Sequence, residues 1–270
     1  MKRIDMRAAI LIFLLALNLF SYEIEAKYKV TFGLFGKVGV STALLERNAT
    51  GYHIKVTAKA TGISAKLSRH RQEVYESFGK VVNGRLVPHK FIKVRKNDKK
   101  TDIRVHIFKH KDKAVWVEKI SIENGEKQIN YDKVKFYAKD DILTLFFNLK
   151  YYLKNFETNG EEVFYAVGAN KKDGHVNIYT PKGEEYKRIK RLLKADGHIL
   201  VVIINQKIFS SKRGELYINL DDDGICTSAV LKDVIFFGDI RGILTDKIVR
   251  DDKKSEKLKE EKTDKEKGKR

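Results

Sequence analysis

The sequence predicts a mainly β protein, built as a single large curled antiparallel sheet (an open or incomplete barrel) with one or two helices covering the concave face. Three observations lead there. Apolar residues recur at every second position in one segment after another, Asn-Gly and Asp-Gly pairs stand between those segments, and one central stretch replaces the period of two by a helical one.

The first segment stands apart from that pattern. Lys2, Arg3 and Arg7 precede an unbroken apolar run from Ala8 to Leu17, the charged and apolar regions of a secretory signal peptide. The run is shorter than the roughly 20 residues a spanning helix needs, so residues 1–21 are expected to be a cleaved leader. Both Ser21 and Ala26 are acceptable cleavage points, and no cysteine lies near them to take a lipid anchor. A soluble periplasmic protein is expected. Its single cysteine, Cys226, excludes an intramolecular disulfide, so the fold must be held by its core. With no Pro/Gly/Ser-rich linker, residues 22–248 read as one domain. Residues 249–270 keep only Val249 and Leu258 as apolar residues and are expected to be a disordered charged tail.

Within the domain, Tyr52, Ile54, Val56, Ala58 and Ala60 alternate with polar residues, as do Ile103, Val105 and Ile107, then Trp116, Ile120 and Ile122, and finally Val176 and Ile178. These are half-buried strands. Asn48 to Gly51, Asn83-Gly84, Asn124-Gly125, Asp173-Gly174 and Asp196-Gly197 supply the positive φ angles that hairpin turns need, which gives about ten strands joined mostly by hairpins. The run Leu200–Ile204 is apolar throughout, the mark of a strand covered on both faces. Its cover is expected to be the segment "DDILTLFFNLKYYL", where Ile142, Leu145, Phe146, Leu149, Tyr152 and Leu153 fall at helical spacing behind an N-capping Asp140 or Asp141. A shorter helix or turn is expected at residues 62–71.

Charge restricts the partners. The first 21 residues carry +2 and residues 249–270 carry +3, which leaves +14 of the total +19 between them. A domain so basic attracts anions. Export removes nucleic acid from consideration and leaves an anionic membrane surface or another envelope polyanion. No oligomeric state follows from the pattern.

No motif announces an enzyme. Asp221-Asp222-Asp223-Gly224 places its acids consecutively, without the alternating ligands and closing glutamate of a calcium loop, and reads as a hairpin tip. His106 and His110 share a face but find no third ligand at zinc-site spacing. Cys226 lies in an apolar strand, and Gly33, Gly36 and Gly39 lack the spacing of a phosphate loop. The expectation is therefore no catalytic residues, no metal and no cofactor. The aromatic group on the central helix has two readings: further core packing, or rings bordering an apolar cavity beneath the sheet. In the second reading Phe146, Phe147, Leu149, Tyr151, Tyr152 and Phe156 are the candidate cavity residues.

Four segments together, "KYKVTFGLFGKVGVSTALLE", "GRLVPHKFIKV", "DDILTLFFNLKYYL" and "GELYINLDDDGICTSAVLKDVIFFGDIRGIL", resemble an exported Gram-negative family known as a domain of unknown function, over nearly all of residues 28–244. Members carry a proline shortly after the acidic turn, where this chain has Cys226-Thr227-Ser228. The family looks akin to the periplasmic lipoprotein carriers of the LolA/LolB type, and the resemblance implies an unclosed barrel plugged by helices and a lipid, acyl-chain or lipoprotein ligand. The expected function is thus a non-enzymatic periplasmic binder or carrier of an amphiphilic envelope component. The alternative is an envelope scaffold or assembly factor that holds protein or cell-wall polymer on a basic surface. The two differ in whether the space beneath the helix is hollow or filled.

Overall fold

The structure, a computed structural model, describes residues 22–170, 172–204, 214–234 and 238–251; the expected leader and residues 252–270 lie outside them. One sheet of fifteen strands dominates it. The strands are β1 (Tyr22–Phe32), β2 (Lys37–Arg47), β3 (Gly51–Ala60), β4 (Gln72–Val82), β5 (Arg85–Lys96), β6 (Lys100–Lys109), β7 (Ala114–Glu123), β8 (Glu126–Lys133), β9 (Asp140–Asp141), β10 (Glu161–Val167), β11 (His175–Tyr179), β12 (His198–Ile204), β13 (Glu215–Leu220), β14 (Cys226–Val234) and β15 (Gly238–Asp251). Their order across the sheet runs from β8 down to β1, then β15 down to β9. Every pairing is antiparallel except the short β9–β10 contact. The final strand reaches Asp251, three residues beyond the expected domain boundary.

The expected ten strands become fifteen because alternation marks only strands with one dry face. β8, "EKQINYDK", is exposed at every residue, and β9 is two residues long; neither leaves a periodic signal. The Asn-Gly turns behave as expected: Asn83 and Gly84, and again Asn124 and Gly125, all have positive φ, the conformation of a two-residue hairpin. Asp196-Gly197 does not join two strands. It follows a helix and leads into β12.

Three helices occur among the described residues: α1 (Gly62–Leu67), α2 (Ile142–Tyr152) and α3 (Gly183–Leu193). The sheet curls around α2. Leu145, Leu149 and Leu153 pack with Val176, Ile178, Leu200, Ile218 and Leu220 on one side, while Leu143 and Phe147 meet Ile24, Leu45, Ile54 and Leu86 on the other. The curl brings β5 round to the β9–β10 end, where buried Phe91 packs with Val167. Gly168 is required there: it has φ +94, and an added Cβ would stand 2.8 Å from the Phe91 ring. The barrel stays open, and β6, β7 and β8 continue past this seam as a wing.

β12 is covered on both faces, as its composition requires, but by two helices. Leu200, Val202 and Ile204 face the α2 side. Ile199 and Val201 face α3, through Ile189 and Leu193. The expectation that α2 supplies the second cover is corrected by α3, a helix the sequence reading passed over. Glu184 and Glu185 in its first turn, and Lys190 and Arg191 in its last, complement its dipole, and Arg241 donates to the Leu192 carbonyl at 2.6 Å.

Candidate functional site

Helix α2 is anchored by buried polar groups as well as by its leucines. Asp141 is its N-cap: Oδ1 accepts from the Leu143 and Thr144 N–H groups at 2.9 and 3.0 Å, and the Thr144 hydroxyl accepts from the Asp141 N–H at 2.9 Å. The Ser77 hydroxyl on β4 donates to Asp141 Oδ2 at 2.5 Å, and Tyr52 lies 3.0 Å from Ser77. One turn further, the Asn148 amide pairs with the backbone of β5. Its Oδ1 accepts from the Leu86 N–H, and its Nδ2 donates to the Leu86 carbonyl, both at 2.9 Å, and to Asp140 Oδ1 at 3.0 Å. Tyr152 donates to the other oxygen of Asp140 at 2.7 Å. Burial raises both carboxyls, Asp141 to about 7, against the pull of these donors. The helix is therefore clamped to β4 and β5.

The candidate cavity residues divide around this helix. Leu149 is in the core, and Tyr152 belongs to the Asp140 network. Phe146, Phe147, Tyr151 and Phe156 gather at the mouth of the barrel and line a pocket with Tyr22, Ile24, Leu45, Arg47, Leu86, Lys150, Asp223 and Gly224. Phe146 and Phe147 meet edge to face, with ring centres 5.3 Å apart, and Arg47 lies 4.5 Å over Tyr22. The cavity volume is about 20 Å³, enough for about one water molecule. Beneath the helix, Leu145, Leu149 and Leu153 pack directly on the sheet.

The remaining sequence candidates have structural roles. Asp221 closes the β13–β14 turn by accepting from the Asp223 and Ile225 N–H groups. Lys247 puts its ammonium between Asp221 and Asp223, at 2.8 and 3.0 Å, where a metal would have to sit, and Asp222 turns away to His198. His110 is held by Tyr137 and the Pro88 carbonyl. Burial pushes the Cys226 thiol up to about 12, which keeps it protonated and weakly nucleophilic. No group of three metal-ligating side chains occurs among the described residues, and none of their helices is long and apolar enough to cross a membrane.

A surface the sequence reading did not single out lies on the wing. On the inner face of β5, Phe91 points to the core, so its neighbours Ile92 and Val94 point outward. The registers line up Val74, Val94, Ile103, Ile120 and Ile129 as one cross-strand row on that outer face. None of the five belongs to a buried core cluster. Adjacent rows add Ile92, Val105, Ile107, Trp116 and Tyr131; Trp116 is 50% and Tyr131 75% exposed. Lys96, Lys127 and Lys133 stand exposed in the flanking rows, and Glu118, on the same face, accepts from the Tyr131 hydroxyl. The alternation of Ile103, Val105 and Ile107 was legible; that this apolar face looks outward was not.

A solved structure resembles this chain. It is the crystal structure of a β-barrel-like protein of a domain of unknown function, DUF1849, from Brucella abortus, 10% identical over 86% of this chain and 99% of that chain, with a TM-score of 0.36. No family model matches the sequence, and no curated protein does.

Proposed function

We propose that this is a non-enzymatic protein of the periplasm, exported by its N-terminal leader, that engages lipid by resting the outer face of the wing and the adjoining β4 and β5 on an anionic membrane surface. The observation that carries this reading is the outward-facing aliphatic row Val74–Val94–Ile103–Ile120–Ile129, half-buried in its first four residues and outside every core cluster of the described residues, with exposed Ile129, Trp116 and Tyr131 at the β7–β8 side and lysines in the flanking rows. Exposed apolar patches of this kind mark protein or membrane contacts. Tryptophan and tyrosine suit the headgroup level, and lysine stems lie along apolar surface while their ammonium groups reach anionic lipid. Three exposed lysines at about 1 kcal/mol each contribute about 3 kcal/mol, weakening with salt. A second copy of the chain fits less well, because it would set lysine against lysine. Against carriage of an acyl chain inside the barrel stand the packing of Leu145, Leu149 and Leu153 on the sheet and a mouth pocket of about 20 Å³, far below the few hundred Å³ of typical ligand sites.

Trp116 is the only tryptophan in the chain, so its emission reports on the wing directly. Phosphatidylcholine vesicles containing phosphatidylglycerol are expected to shift that emission to the blue and to sediment the protein, and Ile129→Glu is expected to abolish both effects. No shift and no sedimentation at low salt would overturn the reading. Capture of an acidic protein through the same face, without vesicle binding, would replace it with the scaffold alternative.

A further inference from the structure

The inner face of the same wing carries a different chemistry. Register pairs Lys93 with Arg104 and Arg104 with Lys119, so three cations stand opposite one another on β5, β6 and β7. Like charges directly across a sheet repel. Asp132 offsets one of the three, Lys119, while the other carboxylates of the region are engaged elsewhere: Glu73 by Arg71, Arg95 and Tyr75, and Asp102 by Ser121 and Lys100. Among the described residues neither Lys93 nor Arg104 makes an ion pair, and the Lys93 ammonium lies 4.8 Å over the Tyr75 ring. His106, the next inner-face position along β6, is buried with its Nδ1 unpartnered.

From this juxtaposition we infer an oxyanion site of the phosphate class on the concave face of β4–β7, with Lys93 and Arg104 as its main ligands and Lys119 and Arg95 beside them. A guanidinium presents a planar pair of donors to a phosphoryl group, and an ammonium adds a compact charge. The electrostatics of the site agree. Burial, reinforced by Arg95, Arg104 and Arg71 against the opposing pull of Glu73, holds Lys93 down at about 8. Burial, aided by Arg104, Lys93 and Lys119 against the hydrogen bond to the Phe91 backbone, holds His106 down at about 4. Burial is the larger cause in both, and the neighbouring arginines and lysines add positive charge that a bound anion offsets. The site faces away from the apolar row, so it stands or falls independently of membrane docking.

The test is calorimetric and thermal titration of the whole chain with inorganic phosphate, and separately with a short-chain, micelle-free phosphatidic acid, each against chloride at matched ionic strength. Phosphate is expected to raise Tm beyond the chloride control. Arg104→Gln and Lys93→Gln are each expected to weaken binding about tenfold or more while leaving the ligand-free protein as stable as the parent or more so, because each removes a like-charge contact. Ile129→Glu, on the opposite face, is expected to keep full phosphate binding. Equal response to both probes assigns recognition to the phosphoryl group alone, and response to the lipid only assigns it to a headgroup. No effect beyond chloride with either probe, or full response retained in Arg104→Gln, overturns the site.

Discussion

Asn148 gives the sharpest test of α2 as a fixed plug. Replacing it with leucine keeps the volume but leaves the Leu86 N–H and carbonyl without their bonds at 2.9 Å, and takes one donor from Asp140. All three groups lie inside the curled sheet, with Asn148 itself 1% exposed. Leaving a buried polar group unsatisfied costs about 1–3 kcal/mol, so the two backbone groups alone are worth about 2–6 kcal/mol, from which the more apolar side chain returns about 1 kcal/mol. A net loss of about 3 kcal/mol follows, or about 6–12 °C in Tm for a chain of this size. The assay is urea unfolding of the parent and Asn148→Leu, read by Trp116 emission and by circular dichroism together. The m-value is expected to hold while the midpoint falls. A loss below about 1 kcal/mol with an unchanged m-value would refute the reasoning, because α2 would then be free to leave the interior without penalty.

Other expectations are more local. Gly79→Ala would put a methyl group 2.0 Å from the Val87 carbonyl oxygen and 2.6 Å from the Tyr52 ring, and is expected to cost more than about 3 kcal/mol or to prevent folding, which expression yield and denaturation will show. Ile189→Ala, beneath α3, is expected to cost about 3 kcal/mol in the same denaturation assay while leaving phosphate binding intact. Asp141 has its folded value raised to about 7 from 3.8, so the folded chain holds a proton that the unfolded chain has released. Its contribution to stability is therefore largest below about pH 4 and is lost as pH rises toward 7, by about 2–4 kcal/mol. Asp141→Asn keeps the capping oxygen and is expected to flatten that slope when urea midpoints are compared between pH 4 and 8.

How far the fold was legible depends on which residues carry a local signal. The α2 stretch announced itself because Asp141 caps it and its leucines repeat at helical spacing. α3 repeats Tyr186, Ile189 and Leu193 in the same way, yet its run of Glu, Lys and Arg masks the stripe, and Asp196-Gly197 after it looked like a hairpin. Leu200–Ile204 revealed a strand with two dry faces without revealing that two separate helices make them dry. On the wing, period two establishes which residues share a face and is silent about which face turns inward. The apolar row and the Lys93–Arg104–Lys119 row were both present in the sequence. Only the register, which joins residues from five strands, turns them into surfaces. Of the aromatic group, Phe146, Phe147, Tyr151 and Phe156 line one pocket, the last from beyond the end of α2, while the anchoring beneath them depends on partners such as Leu86 and Asn148 that lie 62 positions apart.

The pairing of β1 with β15 bears on the order in which the chain can assemble. These strands lie side by side in the middle of the sheet, Tyr22 opposite Asp251 and Phe32 opposite Ile240. The first and last of the described strands to leave the ribosome thus form the central seam. Everything from β1 to β8 can zip up hairpin by hairpin as it emerges, but it must wait for β15 before it meets the other half. Such a closure over most of the chain length is slow in comparison with the local steps. Until it happens the nascent protein presents β1 as a bare edge, a template for wrong pairing, and a chain interrupted before β15 would hold its half-sheets together only through α2 and the β5–β10 contact.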